Sequence, residues 1–456
     1  MRHDYTPKEL QGYYEKSARI IDTDSYYNPE LFTRHNVKRG LRNEDGTGVV
    51  VGLTEIGDVQ SYEWIDNKKV PREGRLVYRG IDVNSLVDAC IKESRFGFEE
   101  CAYLLLFGEL PNRDQLDEFT SVLSHHRSLP EGFVRDVIMK APSTNIMNKL
   151  ARSILVAYSY DPDAEDTSVK NLFRQSMEII SRIPLMAAYG YQAKSHYHDG
   201  NSLFIHKPRP ELSTAENILC LSRPDCVYTP LEATTLDIAL ILHAEHGGGN
   251  NSTFTSHVVA STGTDIYSCI SAALVSLKGP KHGGANLKVM GMMEEMKHEV
   301  KNWSSDREIS DYLVKIFNKE AYDRSGLIYG IGHAVYTLSD PRCVLLKKKA
   351  KELAHAKNRM DEYQLYENVE RLGPIVFNEL KKINKPMCAN VDFYSGIVYD
   401  MLNIPMDLYT PIFAIARVVG FCAHIIEEVI NGGRIIRPAY KNVKEIGEYI
   451  PLSRRK

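Results

Sequence analysis

No apolar run in this chain reaches the roughly 20 residues that a membrane-spanning helix needs. Neither charge is in excess: 56 Lys and Arg stand against 59 Asp and Glu, a net charge of −3. Without a basic surplus, neither a nucleic-acid partner nor a membrane surface is expected, and an anionic ligand has to be met by locally clustered basic residues. The eight cysteines include no C-x-x-C pair. Most of them lie in apolar runs, which favours reduced, buried thiols in a cytoplasmic protein. The opening MRHDYTPKEL lacks the apolar core of a secretory signal and carries acidic residues too early for a transit peptide, which points the same way. Internal repeats and low-complexity tracts are absent too. What is there is an ordinary globular composition, 43% hydrophobic and 25% charged over 456 residues, long enough for two domains.

Strand signals are few. Val49–Val51, Val59–Tyr62 and Leu76–Tyr78 predict a small β element at about 46–80. From Asp82 onward the period is helical. Helices are expected at Phe98–Phe107, after Asn112 as N-cap, and at about 145–160, 168–192, 213–222 and 231–246. Residues 1–40 are helical or irregular. The chain is organised around Leu231–Asn286. There an apolar stripe through Ile238, Ala239 and Leu242 reaches His246, and Gly247–Gly249 follow at once. A second helix runs from about Asp265 to Leu277 and stops at Gly279-Pro280; Lys281-His282-Gly283-Gly284 come next, before a third helix. Further on lie a glycine-rich loop ending in His333, an Asp340-Pro341 helix start, a helix ending near Lys385-Pro386, the segment Asn390–Gly396, and a last helix over 411–430.

Each polar residue in this pattern has a bland reading. His246 on an apolar stripe fits a satisfied core histidine. Asp392 fits a turn cap, Arg342 a surface ion pair, and the methionines at 290, 292, 293 and 296 fit core filling. Together they read differently. His282 and His333 both sit in glycine-flanked loops, where a ligand comes close to the backbone. Arg417 lies inside the apolar run FAIARVVG, and a buried arginine needs an anion. A metal-dependent hydrolase using His243, Glu245 and His246, with His257 beyond, is an alternative; H-A-E-H is not the H-E-x-x-H spacing, but an i, i+3 histidine pair can hold a metal. A non-catalytic helical scaffold is a third class, which has no need of glycine-flanked histidines.

The segments FEECAYLLLFGELPN, HAEHGGGNNSTFT, LKGPKHGGAN, GIGHAVYTLSDPR, NVDFYSGIVYD, FAIARVVG and RIIRPAY, in that order between about Leu76 and Tyr440, closely resemble the helical citrate synthases. The resemblance implies a mainly α, two-domain fold: a large domain of residues 1–283 and 395–456 around a small domain of 284–394. It implies condensation of acetyl-CoA with oxaloacetate, hydrolysis of citryl-CoA, no cofactor and no metal. A 2-methylcitrate synthase using propionyl-CoA is the alternative. By resemblance His282, His333 and Asp392 are catalytic, and His246, Arg342 and Arg417 hold oxaloacetate. Arg437 reaches the site of the second subunit of a homodimer. Lys281, Gly330, Gly332 and Asn390 are candidates for CoA contacts, with Arg324, Lys347, Lys348 and Lys349 as further basic candidates. Departures from the family pattern are Glu245 and Gly247, where Asp and Glu are frequent, Ala334 after the loop histidine, and Ala141-Pro142.

Overall fold

A computed structural model describes residues 5–455 except 44, 45, 67 and 334, and leaves the side chain of Asp24 aside. The fold is mainly α-helical, with one small sheet. It divides into two compact units, Met1–Val51 with Arg437–Lys456, and Gly52–Ile436. Both expected domain boundaries, at 283/284 and 394/395, fall inside the second unit.

In the first unit Thr6 and Glu9 form a capping box that starts the helix Pro7–Ser25. This satisfies two of the amide groups that a helix start leaves unpaired. In the second unit the sheet holds strands β1 (Gly57–Ile65), β2 (Lys68–Tyr78) and β3 (Ile81–Asp82), antiparallel in that order. Val59 pairs directly with Leu76, so two of the three expected strand segments meet. Val49–Val51 form no strand, a correction with a simple cause. β-branched residues make a strand only against a partner, and Val50 and Val51 are exposed and unpaired. The Ala141-Pro142 segment precedes the helix Ile146–Ala157, where Lys149 donates to the Ala141 carbonyl at 3.0 Å.

Helix ends follow the local chemistry. Phe98–Phe107 ends at Gly108 with φ 87°, a left-handed cap that suits glycine. Asn112 caps Arg113–His125 in a box with Gln115, and Asp265 caps Ile266–Leu277. Asp340 and Pro341 open Pro341–Ala356 as expected. The helix expected to reach Lys385 ends at Lys381, because Lys382 turns left-handed at φ 53°. Tyr409–Ile430 is buried on nearly every side, as its almost unbroken apolar sequence requires. Packed around it are Phe98–Phe107, Pro230–His243, Asn251–Ala260, Ile266–Leu277 and the long helix Val169–Tyr197. Ala285–Glu299, Asp306–Phe317, Pro341–Ala356, Met360–Lys381 and Val391–Met401 pack on one another as a second group. Their core includes Met290, Met292, Met293 and Met296.

Two cysteines depart from the expected free state, because Cys220 and Cys226 are joined in a disulfide. They lie six residues apart, across the end of the helix Thr214–Ser222, a proximity that residue spacing alone does not convey. The other six are free, five of them buried. Among the described residues no helix is long and apolar enough to cross a membrane.

β2 touches the segment between His333 and Arg342. The Gly74 amide donates to Ser339 Oγ at 3.1 Å, and that hydroxyl donates to the Glu73 carboxylate. A side chain at Gly74 would run into the Ser339 carbonyl and lie 2.6 Å from the Tyr336 ring. Gly74→Ala is therefore expected to cost roughly 1–3 kcal/mol by overpacking, read as a lower urea midpoint at unchanged slope.

Candidate active site

His246 lies three residues past the end of the helix Pro230–His243, which the apolar stripe predicted to run through it. The helix stops because Tyr78 of β2 takes over its end. The Tyr78 hydroxyl lies 3.0 Å from the Ile241 carbonyl and 3.1 Å from that of Glu245. Gly247 then turns at φ 84°, a conformation that glycine adopts without strain. The His246 ring is buried, and its Nε2 has no hydrogen-bond partner. It faces His333 at 5.5 Å and Tyr336 at 5.8 Å between ring centres. Burial holds it neutral, reinforced by Arg342, His333, Arg417 and His282.

The backbone sets the tautomer of His333. The amides of Val335 and Tyr336 both donate to its Nδ1, at 3.0 and 2.9 Å. The ring proton therefore sits on Nε2, which is a donor. The loop carrying His333 is fixed to the segment before Asp392. Asn390 N–H donates to Gly330 O at 2.9 Å, Gly332 N–H to Cys388 O at 2.7 Å, and the Asn390 side chain to Gly332 O at 2.8 Å. Gly330 and Gly332 have φ of 80° and 96°. At Gly330 any larger residue would also meet Phe393, 2.7 Å from its added carbon.

Asp392 is not the turn cap of its bland reading but sits in the first turn of Val391–Met401, whose N-cap is Asn390. Asn390 accepts the Asp392 amide at 3.0 Å, so the turn residue next to the carboxylate already starts the helix. Burial raises Asp392 to about 6; Arg342 and Arg417 draw it back down, and Asp340 pushes it up. Asp340 organises this corner. Its carboxylate grips Arg342 through Nε at 3.0 Å and Nη2 at 2.8 Å, and accepts the Val391 amide at 3.1 Å. One buried carboxylate thus joins the starts of the two helices that carry Arg342 and Asp392. Arg342 is a buried pair, not the surface pair of the bland reading.

Arg417 is fully buried in Tyr409–Ile430. Its Nε donates to the His243 carbonyl at 2.6 Å, while Nη1 and Nη2 have no partner. A buried guanidinium with two unmet amino groups is costly and calls for an anion. His282 stands two residues before the N-cap of Ala285–Glu299. Burial, then Arg417, lowers it to about 4, so the ring is neutral at pH 7. Ser252 Oγ lies 2.9 Å from His282 Nε2 and 2.9 Å from Asn250 Oδ1. The site therefore gathers two cations, three imidazoles and one carboxylate that titrates near neutrality, a set suited to holding a dianion beside a base.

Lys281 is exposed, and so is Arg437, which belongs to the first unit. Lys347 is engaged by Glu370 at 2.7 Å and Lys349 by Glu352 at 2.7 Å. The metal reading of His243, Glu245 and His246 fails on geometry. The His243 ring packs on Phe413 at 4.6 Å, and Glu245 turns to His424 at 3.1 Å. No group of three His, Cys, Asp or Glu side chains among the described residues is placed to hold a metal. Asp340 as clamp of Arg342, Ser252 and Tyr336 were missed. Only Asp340 carried a signal, its place before Pro341.

The family model for citrate synthase, C-terminal domain, matches residues 44–439. The chain belongs to the citrate synthase family. It is 33% identical over 427 residues to a citrate synthase of Haloferax volcanii, covering 92% of this chain and 99% of that one. It is 32% identical over 426 residues to 2-methylcitrate synthase 1 of Corynebacterium glutamicum, covering 92% and 98%. Among solved structures it is similar to a citrate synthase from the archaeon Thermoplasma acidophilum in ternary complex with carboxymethyl coenzyme A and oxaloacetate. There the TM-score is 0.75 at 25% identity, covering 92% of this chain and 99% of that one. The Thermotoga maritima citrate synthase gives a TM-score of 0.71 at 30% identity, with the same coverage.

Asp340→Ala removes both the helix cap and the partner of a buried cation. A loss of about 3–5 kcal/mol is expected, measured by equilibrium denaturation.

Proposed function

We propose that this chain condenses acetyl-CoA with oxaloacetate and hydrolyses the citryl-CoA thioester, releasing citrate and CoA. The observation that carries the reading is the pair of unmet amino groups of buried Arg417 in a site that also holds Arg342. Two guanidinium groups suit the two carboxylates of oxaloacetate, because arginine binds carboxylates in a bidentate fork. His246, neutral and with Nε2 unmet, completes the grip on this substrate.

Asp392 is the base that takes a methyl proton from acetyl-CoA. Alone it is too weak, so the enolate oxygen needs a donor as charge develops. His282 fills that role as a neutral ring. Its Nδ1–H is the proposed donor to the thioester oxygen, a tautomer that requires the Ser252 hydroxyl to turn its proton from Asn250 Oδ1 to His282 Nε2, each 2.9 Å away. The new carbon nucleophile attacks the ketone of oxaloacetate, which the Nε2–H of His333 polarises. Water then cleaves the thioester. The substrates supply all the chemistry and no cofactor is invoked; Lys281, Gly330, Gly332 and Asn390 are the proposed neighbours of CoA.

The working form is a homodimer in the cytoplasm, with Arg437 serving the second subunit's site. The six free thiols support the location. The terminal segment supports the assembly, since Tyr440, Ile446, Tyr449 and Leu452 are strongly exposed and exposed apolar groups of that size mark interaction surfaces. Residues 284–394 act as a small domain that closes on oxaloacetate. His333, Arg342 and Asp392 come from it, whereas His246, His282 and Arg417 come from the rest, so a bound dianion bridges the two sets and favours closure.

Release of CoA from acetyl-CoA and from propionyl-CoA in the presence of oxaloacetate tests the activity. Preference for acetyl-CoA is expected, and no release from either would overturn the reading. Asp392→Asn should lose about 10²- to 10⁴-fold in turnover while still binding oxaloacetate; near-normal turnover would remove Asp392 as base. The base must be unprotonated and burial lifts it to about 6. In the wild type kcat/KM should therefore be level above that pH and fall as pH drops through it, read from a pH–rate profile.

A further inference from the structure

The mechanism leaves one chain of buried titratable groups unused. Arg417, Gly420 and His424 lie on one face of the helix Tyr409–Ile430, at spacing i, i+3 and i+7. The Glu245 side chain is laid against that face at Gly420, where any added carbon would run into its Oε2 and the Ala244 carbonyl. Gly57 makes room on the opposite side, its added carbon falling 2.7 Å from Glu245 Cγ. Glu245 thus occupies a slot between two glycines, with Arg417 on one side and His424 on the other. Its Oε1 faces His424 Nε2 at 3.1 Å and accepts the Gly247 amide; its Oε2 is buried and has no partner.

From His424 the chain continues outward. His424 Nδ1 lies 3.2 Å from His257 Nε2, and His257 Nδ1 lies 2.9 Å from the Glu428 carboxylate. Glu428 must receive a proton from His257 Nδ1, so the His257 Nε2 is an acceptor and His424 Nδ1 a donor. Its other nitrogen faces the Glu245 carboxylate at 3.1 Å as an ion pair rather than as an aligned hydrogen bond, a contact that favours the imidazolium.

We propose that His424 is a positioning residue for oxaloacetate: its imidazolium holds the Glu245 carboxylate and so leaves the Arg417 guanidinium open to the substrate's carboxylate. Resting on the citrate synthase reading, the inference concerns Glu245, the resident anion beside Arg417, and its partner His424, neither of which has a role in the mechanism above. The charged and titratable groups facing His424 are Glu245 after Pro230–His243, His257 on Asn251–Ala260, and Glu427 on its own helix. Those acting on Arg417 are Glu245, Tyr78, Arg342 and Asp392. Burial pulls His424 down, but Glu245 and then Glu427 outweigh it and bring it up to about 9. Below that pH the Glu245 charge is shared with His424. Above it His424 is neutral, and Glu245 is left to compete with oxaloacetate for Arg417.

Calorimetric titration of the full-length protein with oxaloacetate at pH 7.5 and pH 9.5 (about half a unit or more on either side of that value) tests this. Wild type should bind several-fold more weakly at the higher pH. His424→Gln should bind about tenfold more weakly than wild type at the lower pH, the effect of roughly one lost charge, and should show little further loss at the higher one. Glu245→Gln with His424→Gln, a neutral pair of nearly the same shape, should recover wild-type binding and stay level with pH; this double variant also serves if the single one fails to fold. A purely structural role for His424 predicts neither the vanished pH step nor the recovery. Wild-type binding that is level with pH, or a double variant as weak as His424→Gln, overturns the inference alone. A wild type that binds no oxaloacetate at either pH overturns the function reading as well.

Discussion

Arg417 sets the terms for the rest of the site. A guanidinium placed in the middle of a helix buried on all sides pays a large desolvation cost, and only good hydrogen bonds and a counter-charge offset it. The fold supplies one backbone carbonyl, from His243, and leaves Nη1 and Nη2 unmet. That deficit is the opposite of what packing alone would select. The apolar helices packed around Tyr409–Ile430 hold the cation in place. The cost is carried by the stability of the large apolar core, and it is recovered when a carboxylate arrives.

The other charged groups follow from this constraint. Arg342, also buried, has its own carboxylate in Asp340 and is fixed by it, so its orientation does not depend on ligand. Burial keeps His246 and His282 neutral, reinforced by Arg342 and Arg417 at His246 and by Arg417 at His282, which makes them directional hydrogen-bond donors or acceptors without adding charge. The same cations temper the effect of burial on Asp392 and leave it near 6, low enough to be ionised at neutral pH and high enough to accept a proton. The pKa values of the site are thus one coupled arrangement.

Much of this was legible in the residues, and the failures have physical causes. Asn112, Asp265 and Asp340 marked helix starts correctly because capping is local chemistry. Val59 and Leu76 were read as strands and pair with each other, whereas Val49–Val51 had the right composition and no partner. His246 continued an apolar stripe by period alone. The helix ends earlier because Tyr78, distant in sequence, meets its last carbonyls. Arg417 stood out as a charge in an apolar run. Ser252 beside His282, and Glu245 between Arg417 and His424, depend on how helices pack, and residue spacing carries no trace of either. The Cys220–Cys226 disulfide belongs with these.

The central claim is that Arg417 is held unpaired at a cost to the free protein so that a dicarboxylate can complete it. Stability of wild type and Arg417→Leu, each measured with and without oxaloacetate, tests this most directly. The account predicts that the variant, relieved of a buried unmet cation, is at least as stable as wild type without ligand. It also predicts that oxaloacetate stabilises wild type, by about 2.7 kcal/mol at a hundred times its Kd, and adds little to the variant at the same concentration. A variant several kcal/mol less stable than wild type without ligand, or one that oxaloacetate protects equally well, would contradict it.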